Sequence, residues 1–267
     1  MSRVALGLEY AGAEFNGFQR QASAANTVQA RLEEALSSVA NEAISLVCAG
    51  RTDAGVHATA QVVHFDTFAQ RPEKAWVLGT NTKLPDAIRV LWAKSVDPVF
   101  HARFSATKRR YRYVIRCARV RSAILGRQVT HCSDWLDIEA MHAAAQSLIG
   151  EHDFSAFRAS QCQAASPVRT IEFIRWQRSG DLLCMDIQAN AFLHHMVRNI
   201  VGSLMEIGRG RRPVAWLAEL LAGGDRRLAA PTASPWGLYL CDVSYPECFQ
   251  LPRTDLGPAF LSYTHSP

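Results

Sequence analysis

Hydrophobic and polar positions change their spacing repeatedly along the chain. Short segments in which apolar residues cluster or alternate are typical of strands, whereas apolar residues three or four apart are typical of one helix face. Before residue 105 this spacing predicts helices at 28–39, with Thr27 as N-cap, and at 73–81. The predicted strands of the same part lie at 4–10, 44–48, 61–65 and 88–95.

A similar series of elements follows after residue 105. Asp137 is predicted to cap a helix that Gly150 ends, and Pro213 is predicted to open another helix that runs to residue 221. A longer helix is predicted at 193–207, where apolar residues form one wide face. The predicted strands of this part lie at 110–116, 169–177, 182–189 and 238–243.

The predicted elements indicate the fold class. They favour an α+β fold made of two similar αβ halves, whose mainly antiparallel sheets flank a central basic cleft. The expected halves are residues 1–105 and 106–267. Because no low-complexity linker separates them, we expect the halves to pack closely, and a cleft between packed halves is a natural place for a ligand.

The composition is that of a globular protein. Hydrophobic residues make up 48% of the 267 residues and charged residues 20%, which is enough apolar material for a core. No apolar run is long enough for a membrane span, and the N-terminal residues do not resemble a signal peptide. The seven cysteines are scattered without a CxxC pair, which argues against a disulfide framework and a zinc site. We therefore expect a cytoplasmic protein with reduced thiols.

Basic residues are concentrated in one part of the chain. Of the 29 basic residues only four are lysines, and the planar guanidinium of arginine suits phosphates and base edges. The 36 residues from 98 to 133 contain nine basic residues and no acidic one. They also contain Phe104, Tyr111 and Tyr113, and aromatic rings among basic residues favour unpaired nucleic acid, because its bases can stack on them. Either a polyanion-binding surface or a solvated basic face would produce this pattern.

One predicted loop carries a candidate nucleophile. Gly50 and Gly55 flank a polar centre, which predicts a tight loop after a strand. Within this loop lie Arg51 and Asp53. An arginine within reach would keep a carboxylate ionised and therefore nucleophilic. A loop aspartate more commonly serves as a turn or cap residue, so both roles stay open at this point.

Two further segments carry side chains suited to a base or to a charged group. Tyr111 and Tyr113 are two apart on a predicted strand and share a face; we expect Tyr113 in the core and Tyr111 against a base. Arg198 lies at the polar edge of the 193–207 helix, from where its guanidinium can reach a cleft. The two adjacent histidines at the start of that helix point about 100° apart in a regular helix, so they cannot share a metal ion, and no metal site is predicted.

Three motifs are similar to those of one known family. Residues 50–57, around Asp53, resemble the catalytic loop of the TruA-type tRNA pseudouridine synthases. Residues 104–113 resemble the second motif of that family and residues 190–199 its third, in the same order and with matching separations. The chain departs from the family pattern at Ala11, Phe18 and Ala60. The first two departures are expected to alter how the RNA backbone is held.

The resemblance implies a fold, an activity and a set of site residues. It implies the pseudouridine synthase fold and the isomerisation of uridine to pseudouridine at positions 38, 39 and 40, in the anticodon stem-loop of tRNA. It also implies a homodimer that works without a cofactor or a metal ion. Asp53 matches the catalytic aspartate of the family, Arg198 its basic partner and Tyr111 the tyrosine that contacts the base. Further substrate contacts are predicted in these motifs at Arg51, His57, Arg109 and Arg110.

The implied chemistry is consistent with the residues that are present. The reaction breaks a C1′–N1 bond and forms a C1′–C5 bond without net oxidation or hydrolysis, so it needs no cofactor. A carboxylate nucleophile divides this change into easier steps, whether it attacks C6 or C1′ or acts through a glycal. Two other functions stay open: a non-catalytic RNA-binding module, and a metal-dependent RNA hydrolase, which would need clustered acids where Asp53 has no acidic neighbour before Asp66.

Overall fold

The computed structural model describes residues 1–21 and 26–264. Within these residues the chain forms ten strands and five α-helices. The strands are β1 (Ser2–Tyr10), β2 (Leu46–Cys48), β3 (His57–Thr67), β4 (Ile88–Val96), β5 (Lys108–Cys117), β6 (Thr130–Cys132), β7 (Gly150–Asp153), β8 (Val168–Ser179), β9 (Leu182–Ala189) and β10 (Leu238–Ser244). The helices are α1 (Val28–Ala40), α2 (Glu73–Asn81), α3 (Ile138–Ala145), α4 (Met196–Gly208) and α5 (Trp216–Gly223).

The described residues form two compact units. The first unit consists of Met1–Thr107 together with the chain from Tyr239 onward, and the second is Lys108–Leu238. The division expected from the sequence, after residue 105, is close to the start of the second unit but places the C-terminal part differently. That part lies with the first unit because β10 pairs in parallel with β3.

The first unit is a sheet covered by two helices. Its strands follow the order β4, β1, β3 and β10, and β2 also pairs with β3. β1 is antiparallel to both β3 and β4. Leu32 and Leu36 of α1 are fully buried, and Trp76 of α2 packs edge-on against Phe65 of β3 with ring centroids 5.2 Å apart. The core of this unit therefore lies between the helices and the sheet.

The second unit repeats this plan with different strands. Its sheet follows the order β5, β9, β8 and β7, all antiparallel, with β6 parallel to β5. α3 packs against β8 and α4, and Met141, Ile174 and Leu204 are buried among them. Both units thus combine helices with largely antiparallel strands, and the predicted α+β class is confirmed.

Helix capping follows the sequence where a polar side chain precedes an apolar face. Thr27 accepts a hydrogen bond from the backbone N–H of Ala30 (3.2 Å) and α1 begins at the next residue, as predicted. Asp137 accepts from the N–H of Ala140 (3.0 Å) at the start of α3, also as predicted. The predicted helix at 73–81 has the bounds of α2.

Two helices begin three residues later than predicted. α4 begins at Met196 because His195 takes a left-handed conformation with φ of 61°. His194 and His195 therefore precede the helix, and their ring centroids lie 4.0 Å apart, so the angular argument against a shared metal ion does not apply to them. α5 begins at Trp216 rather than Pro213, whose carbonyl closes a turn with the N–H of Trp216 (3.1 Å).

None of the helices in the described ranges combines the length and the apolar character that a membrane crossing requires.

Candidate active site

The loop between β2 and β3 presents Asp53 on a tight turn. The N–H of Val56 donates to the carbonyl of Asp53 (3.1 Å), and Gly55 within this turn has φ of 82°. Such a left-handed conformation strongly favours glycine. Asp53 is half-buried and its neighbour Thr52 is buried. The predicted glycine-dependent loop is therefore present, with the carboxylate at its bend.

Buried side chains hold the part of this loop that precedes Asp53. The hydroxyl groups of Tyr10 and Thr52 lie 2.8 Å apart in a hydrogen bond. The side-chain amide of Gln61 donates to the carbonyl of Gly50 (2.7 Å) and to the hydroxyl of Tyr10 (3.3 Å). Since Tyr10 and Gln61 come from β1 and β3, the sheet of the first unit itself sets the position of the loop. Sequence analysis did not single out these three side chains.

Gly17 and Phe18, which follow β1, pack closely against the same loop. The N–H of Phe18 donates to the carbonyl of Thr52 (3.0 Å). Gly17 has φ of 88°, and a Cβ at that position would lie 2.9 Å from the carbonyl oxygen of Thr52. Phe18 itself is 1% exposed, with its ring centroid 6.0 Å from that of Tyr10. The burial of this ring argues against a direct contact with RNA, and the expectation that Phe18 alters the hold on the RNA backbone stays a prediction.

Arg51 and His57, both predicted to contact substrate, differ in exposure. Arg51 is exposed and lies two residues before Asp53 in the sequence. His57 is 2% exposed, its Nδ1 accepts from the N–H of Gly12 (3.1 Å), and its ring stacks on Tyr239 at 4.7 Å. The geometry suits Arg51 to a ligand contact, whereas the burial of His57 favours a supporting role over the predicted one.

The two tyrosines of β5 have separate environments. Tyr111 is 8% exposed and its ring meets that of Phe192 edge-on, with centroids 5.1 Å apart. Tyr113 is fully buried, donates to the carbonyl of Ser234 (2.7 Å) and lies 2.6 Å from the hydroxyl of Thr130. Burial raises the pKa of Tyr113. The prediction that Tyr113 belongs to the core is confirmed, and Tyr111 is held by an aromatic neighbour from the third motif.

Acidic side chains from later parts of the chain neutralise part of the basic stretch 98–133. Asp186 of β9 binds two nitrogens of Arg110 at 2.7 and 2.5 Å and lies 3.3 Å from Nε of Arg112. Arg109 instead donates to the carbonyl of Asn190 (3.1 Å). The acid-free run therefore overstates the local positive charge, because its acidic partners are distant in sequence. Two more ion pairs of this kind join Lys108 to Glu172 and Arg116 to Asp181.

Arg198 lies in the first turns of α4, where a second chain segment holds it. Its Nε donates to the carbonyl of Ala233 (2.9 Å), and the N–H of Ala233 donates back to the carbonyl of Arg198 (3.1 Å). The first hydrogen bond holds the guanidinium at Nε, and the second joins the backbone of Ala233 to that of Arg198. Asn199, the next residue, is fully buried, although sequence analysis gave it no role.

Comparisons with known proteins agree on one family. A family model described as tRNA pseudouridine synthase matches residues 8–105 and 144–246. Proteins named tRNA pseudouridine synthase A are similar over nearly their whole length. The one from Pasteurella multocida is 59% identical over 97% of this chain and 98% of its own. The one from Shewanella sp. strain ANA-3 is 60% identical over 97% and 99%.

A solved structure shows a weak likeness to this chain. It is a chain of the crystal structure of a Cbf5–Nop10–Gar1 complex. The aligned region covers 89% of this chain and 48% of that chain, with 11% sequence identity and a TM-score of 0.34. A likeness of this size carries no conclusion about function.

Proposed function

This chain belongs to the family of tRNA pseudouridine synthases, and from that premise we propose that it acts in the anticodon stem-loop with Asp53 as its nucleophile. The chain is an isomerase that converts uridine to pseudouridine in tRNA. The proposed target positions are 38, 39 and 40, which rest on the resemblance of the three motifs. The nucleophile is supported by one observation above all: a half-buried carboxylate at the bend of a loop that Tyr10, Thr52 and Gln61 hold in place.

The isomerisation places definite demands on the nucleophile. The bond between C1′ and N1 must break, C5 must bond to C1′, the proton of C5 must leave, and N1 must gain a proton. A carboxylate that bonds covalently to the nucleotide replaces one difficult step by two easier ones. Its oxygen has to be in position before the reaction starts, because a misplaced nucleophile loses most of its effect. The pinned turn around Asp53 meets this requirement.

Tyr111 is proposed to contact the target base. The detached uracil has to stay in place while it turns to present C5, so it needs a rigid neighbour. The ring of Tyr111 is held by Phe192 at 5.1 Å and by its place in the centre of β5. An aromatic ring fixed in this way is a suitable surface for a base.

Arginines are proposed to supply charge for the reaction and for RNA binding. Arg198 takes the role that the resemblance implies, the basic partner in catalysis, and its fixed Nε supports a defined position. Exposed Arg51 and half-buried Arg109 are proposed as phosphate contacts. Such contacts also offset the cost of flipping a stacked base, which is a few kcal/mol. Arg110 contributes less, since Asp186 already binds it.

The proposal includes a location and an assembly. All seven cysteines are free thiols, which agrees with a reducing compartment, and tRNA is the substrate class; both support the cytoplasm. The homodimer rests on the resemblance alone.

Release of tritium from C5 of uracil tests the proposal directly. Unmodified tRNA transcripts labelled at C5 are mixed with the protein in EDTA, and the modified positions are then mapped. We expect release by the wild type at 38, 39 and 40, and a loss of about 10,000-fold or more in Asp53→Ala. Affinity for tRNA should stay within about tenfold, because phosphate contacts dominate it.

A matched variant separates the nucleophile from a general loss of charge. Asp86→Ala removes a fully exposed carboxylate of the same unit and should release tritium normally. Modification elsewhere in the tRNA would overturn the anticodon assignment and leave the family activity intact. Full activity in Asp53→Ala would overturn the assignment of the nucleophile. Binding without any release by the wild type would favour an RNA-binding module. Cleavage of the RNA chain in magnesium but not in EDTA, without release of tritium, would favour a metal-dependent hydrolase.

A further inference from the structure

A short segment of the second unit follows α4 residue by residue. Residues 230–233 contact the helix in reverse order, so the segment runs against it. The contacts combine hydrogen bonds with one close backbone approach, because a Cβ on Gly202 would lie only 2.1 Å from the carbonyl oxygen of Pro231. The pairs are Ala230 with Ser203, Pro231 with Gly202, Thr232 with Asn199 and Ala233 with Arg198.

Asn199 is the centre of these contacts. Its side chain is fully buried, and its Nδ2 donates to the carbonyl of Phe157 (2.8 Å). Its Oδ1 accepts from Nη2 of Arg226 (3.0 Å) and from the hydroxyl of Thr232 (2.7 Å). A guanidinium can only donate, so the orientation of the amide is determined by its partners. The residue next to Arg198 is thereby locked to the same segment that holds Arg198.

Arg226 is unusual because it is half-buried among neutral acceptors. It donates to Asn199, to the hydroxyl of Thr232 (3.2 Å) and to the carbonyl of Ala229 (3.3 Å). Among the described residues, no carboxylate lies within ion-pair distance of it. Burial lowers the pKa of Arg226, which reflects the cost of placing a charge there. The neighbouring Arg227 contrasts with it, since its side chain is 90% exposed and pairs with Asp225 at 2.7 Å.

From these contacts we propose that Arg226, Asn199 and Thr232 form a positioning network that sets the guanidinium of Arg198 for the reaction. The network acts through the backbone of Ala233, whose carbonyl accepts from Nε of Arg198. Tyr113 holds the next residue of the segment by donating to the carbonyl of Ser234. Because hydrogen bonds hold both ends of the segment, the carbonyl of Ala233 that accepts from Nε of Arg198 keeps a fixed position. The inference rests on the catalytic role proposed for Arg198.

The first test removes parts of the network and measures rate, affinity and stability separately. Single-turnover release of tritium from C5-labelled tRNA gives the rate whatever the modified position. We expect Arg226→Ala to lower this rate by about 10- to 100-fold, the scale expected for a shift of about 1 Å in a reacting group. The dissociation constant for tRNA should change by less than about threefold. Arg227→Ala is the matched control and should change neither quantity.

A second pair of variants covers the case in which Arg226→Ala does not fold. Thr232→Val removes one hydroxyl at constant shape, and Thr232→Ser keeps it. We expect Thr232→Val to slow the reaction and Thr232→Ser to restore most of the rate at a similar melting temperature. A role confined to stability would change the melting temperature in step with the rate, and that outcome contradicts the proposal.

A double-mutant cycle shows whether the network works through Arg198. If it does, Arg226→Ala causes no further loss in a chain that already carries Arg198→Ala. Independent losses that multiply would overturn the positioning role. If Arg198→Ala alone leaves the rate unchanged, the proposed role of Arg198 fails, and an effect of Arg226→Ala in that case would show that the network serves another group.

Discussion

Asp53 and Arg198 are held in place by different means. The loop of Asp53 closes through a backbone hydrogen bond and a left-handed glycine, and the adjacent strands β1 and β3 support it. Arg198 lies on a helix, and its guanidinium is held by a segment 35 residues later in the chain. At the bend itself the first arrangement depends on local backbone geometry, and Tyr10, Thr52 and Gln61 hold the residues that precede the bend. The second depends on buried side chains that are far apart in the sequence.

This difference indicates how each group responds to change. A turn that backbone conformation determines tolerates substitution of its neighbours as long as the φ angles survive. A guanidinium held by a network of buried polar side chains is sensitive to each member, because a partly satisfied network is costly. We therefore expect conservative substitutions to have larger catalytic effects around Arg198 than around Asp53.

The largest effect on stability is expected from acidification, through a buried histidine of the first unit. His64 of β3 is 4% exposed, its Nδ1 accepts from the N–H of Ala102 (3.1 Å), and burial lowers the pKa of His64 to about 4. In the unfolded chain this histidine gains a proton near pH 6.5, whereas the folded chain resists protonation down to about pH 4. Stability should therefore fall as the pH drops through this window, by up to about 3 kcal/mol.

Hydrogen exchange and denaturant unfolding between pH 7 and pH 4 measure this effect. We expect protection in β3 and in the Asp53 loop to fall before protection in α4. His64→Asn keeps an acceptor and cannot titrate, so its stability should depend less on pH in this window. An equal dependence in the variant would assign the effect to other groups.

Arg198→Lys separates the effect of the positive charge from the effect of its position. Lysine keeps the positive charge but lacks the Nε–H that donates to Ala233. We expect the single-turnover rate to fall by about 10- to 100-fold, with affinity for tRNA within about threefold. A rate close to that of the wild type would mean that charge alone suffices and would remove the contrast between the two regions.

Local features of the sequence were sufficient to predict much of the fold and the Asp53 loop. Thr27 and Asp137 were identified as caps because an N-cap needs only a polar side chain before an apolar face, and both side chains accept the expected N–H. The Asp53 loop was identified from its glycines because a left-handed conformation, such as φ of 82° at Gly55, depends on the type of a single residue.

Features that depend on distant partners were not predicted. The start of α4 was placed three residues early, because apolar periodicity continues through the left-handed His195. The charge of the stretch 98–133 was overestimated, because Asp186 reaches it only when β9 pairs with β5. No pattern in the sequence indicated the role proposed for Arg226, because that role depends on a hydrogen bond to Asn199, 27 residues earlier.

Gly202→Ala tests the close approach that keeps the 230–233 segment on α4. The new Cβ would lie 2.1 Å from the carbonyl oxygen of Pro231, so the segment must move. We expect a loss of about 2 kcal/mol in the free energy of unfolding, typical of overpacking, together with a slower single-turnover rate. Denaturant titration and tritium release measure the two effects. A loss of stability at an unchanged rate would show that the segment does not control Arg198.

Gly17→Ala is the corresponding change at the Asp53 loop and should have the smallest effect. Its Cβ would lie 2.9 Å from the carbonyl oxygen of Thr52, a milder overlap than at Gly202, and φ of 88° adds strain of about 1 kcal/mol. Asparagine tolerates left-handed backbone better than alanine does, so Gly17→Asn distinguishes strain from overlap. If strain dominates, unfolding should show Gly17→Asn to be the more stable variant, and both variants should keep most of the wild-type rate. A rate that falls as steeply as in Gly202→Ala would mean that the Asp53 loop is as sensitive to its support as Arg198 is, and the distinction between a backbone-defined and a network-defined group would then fail.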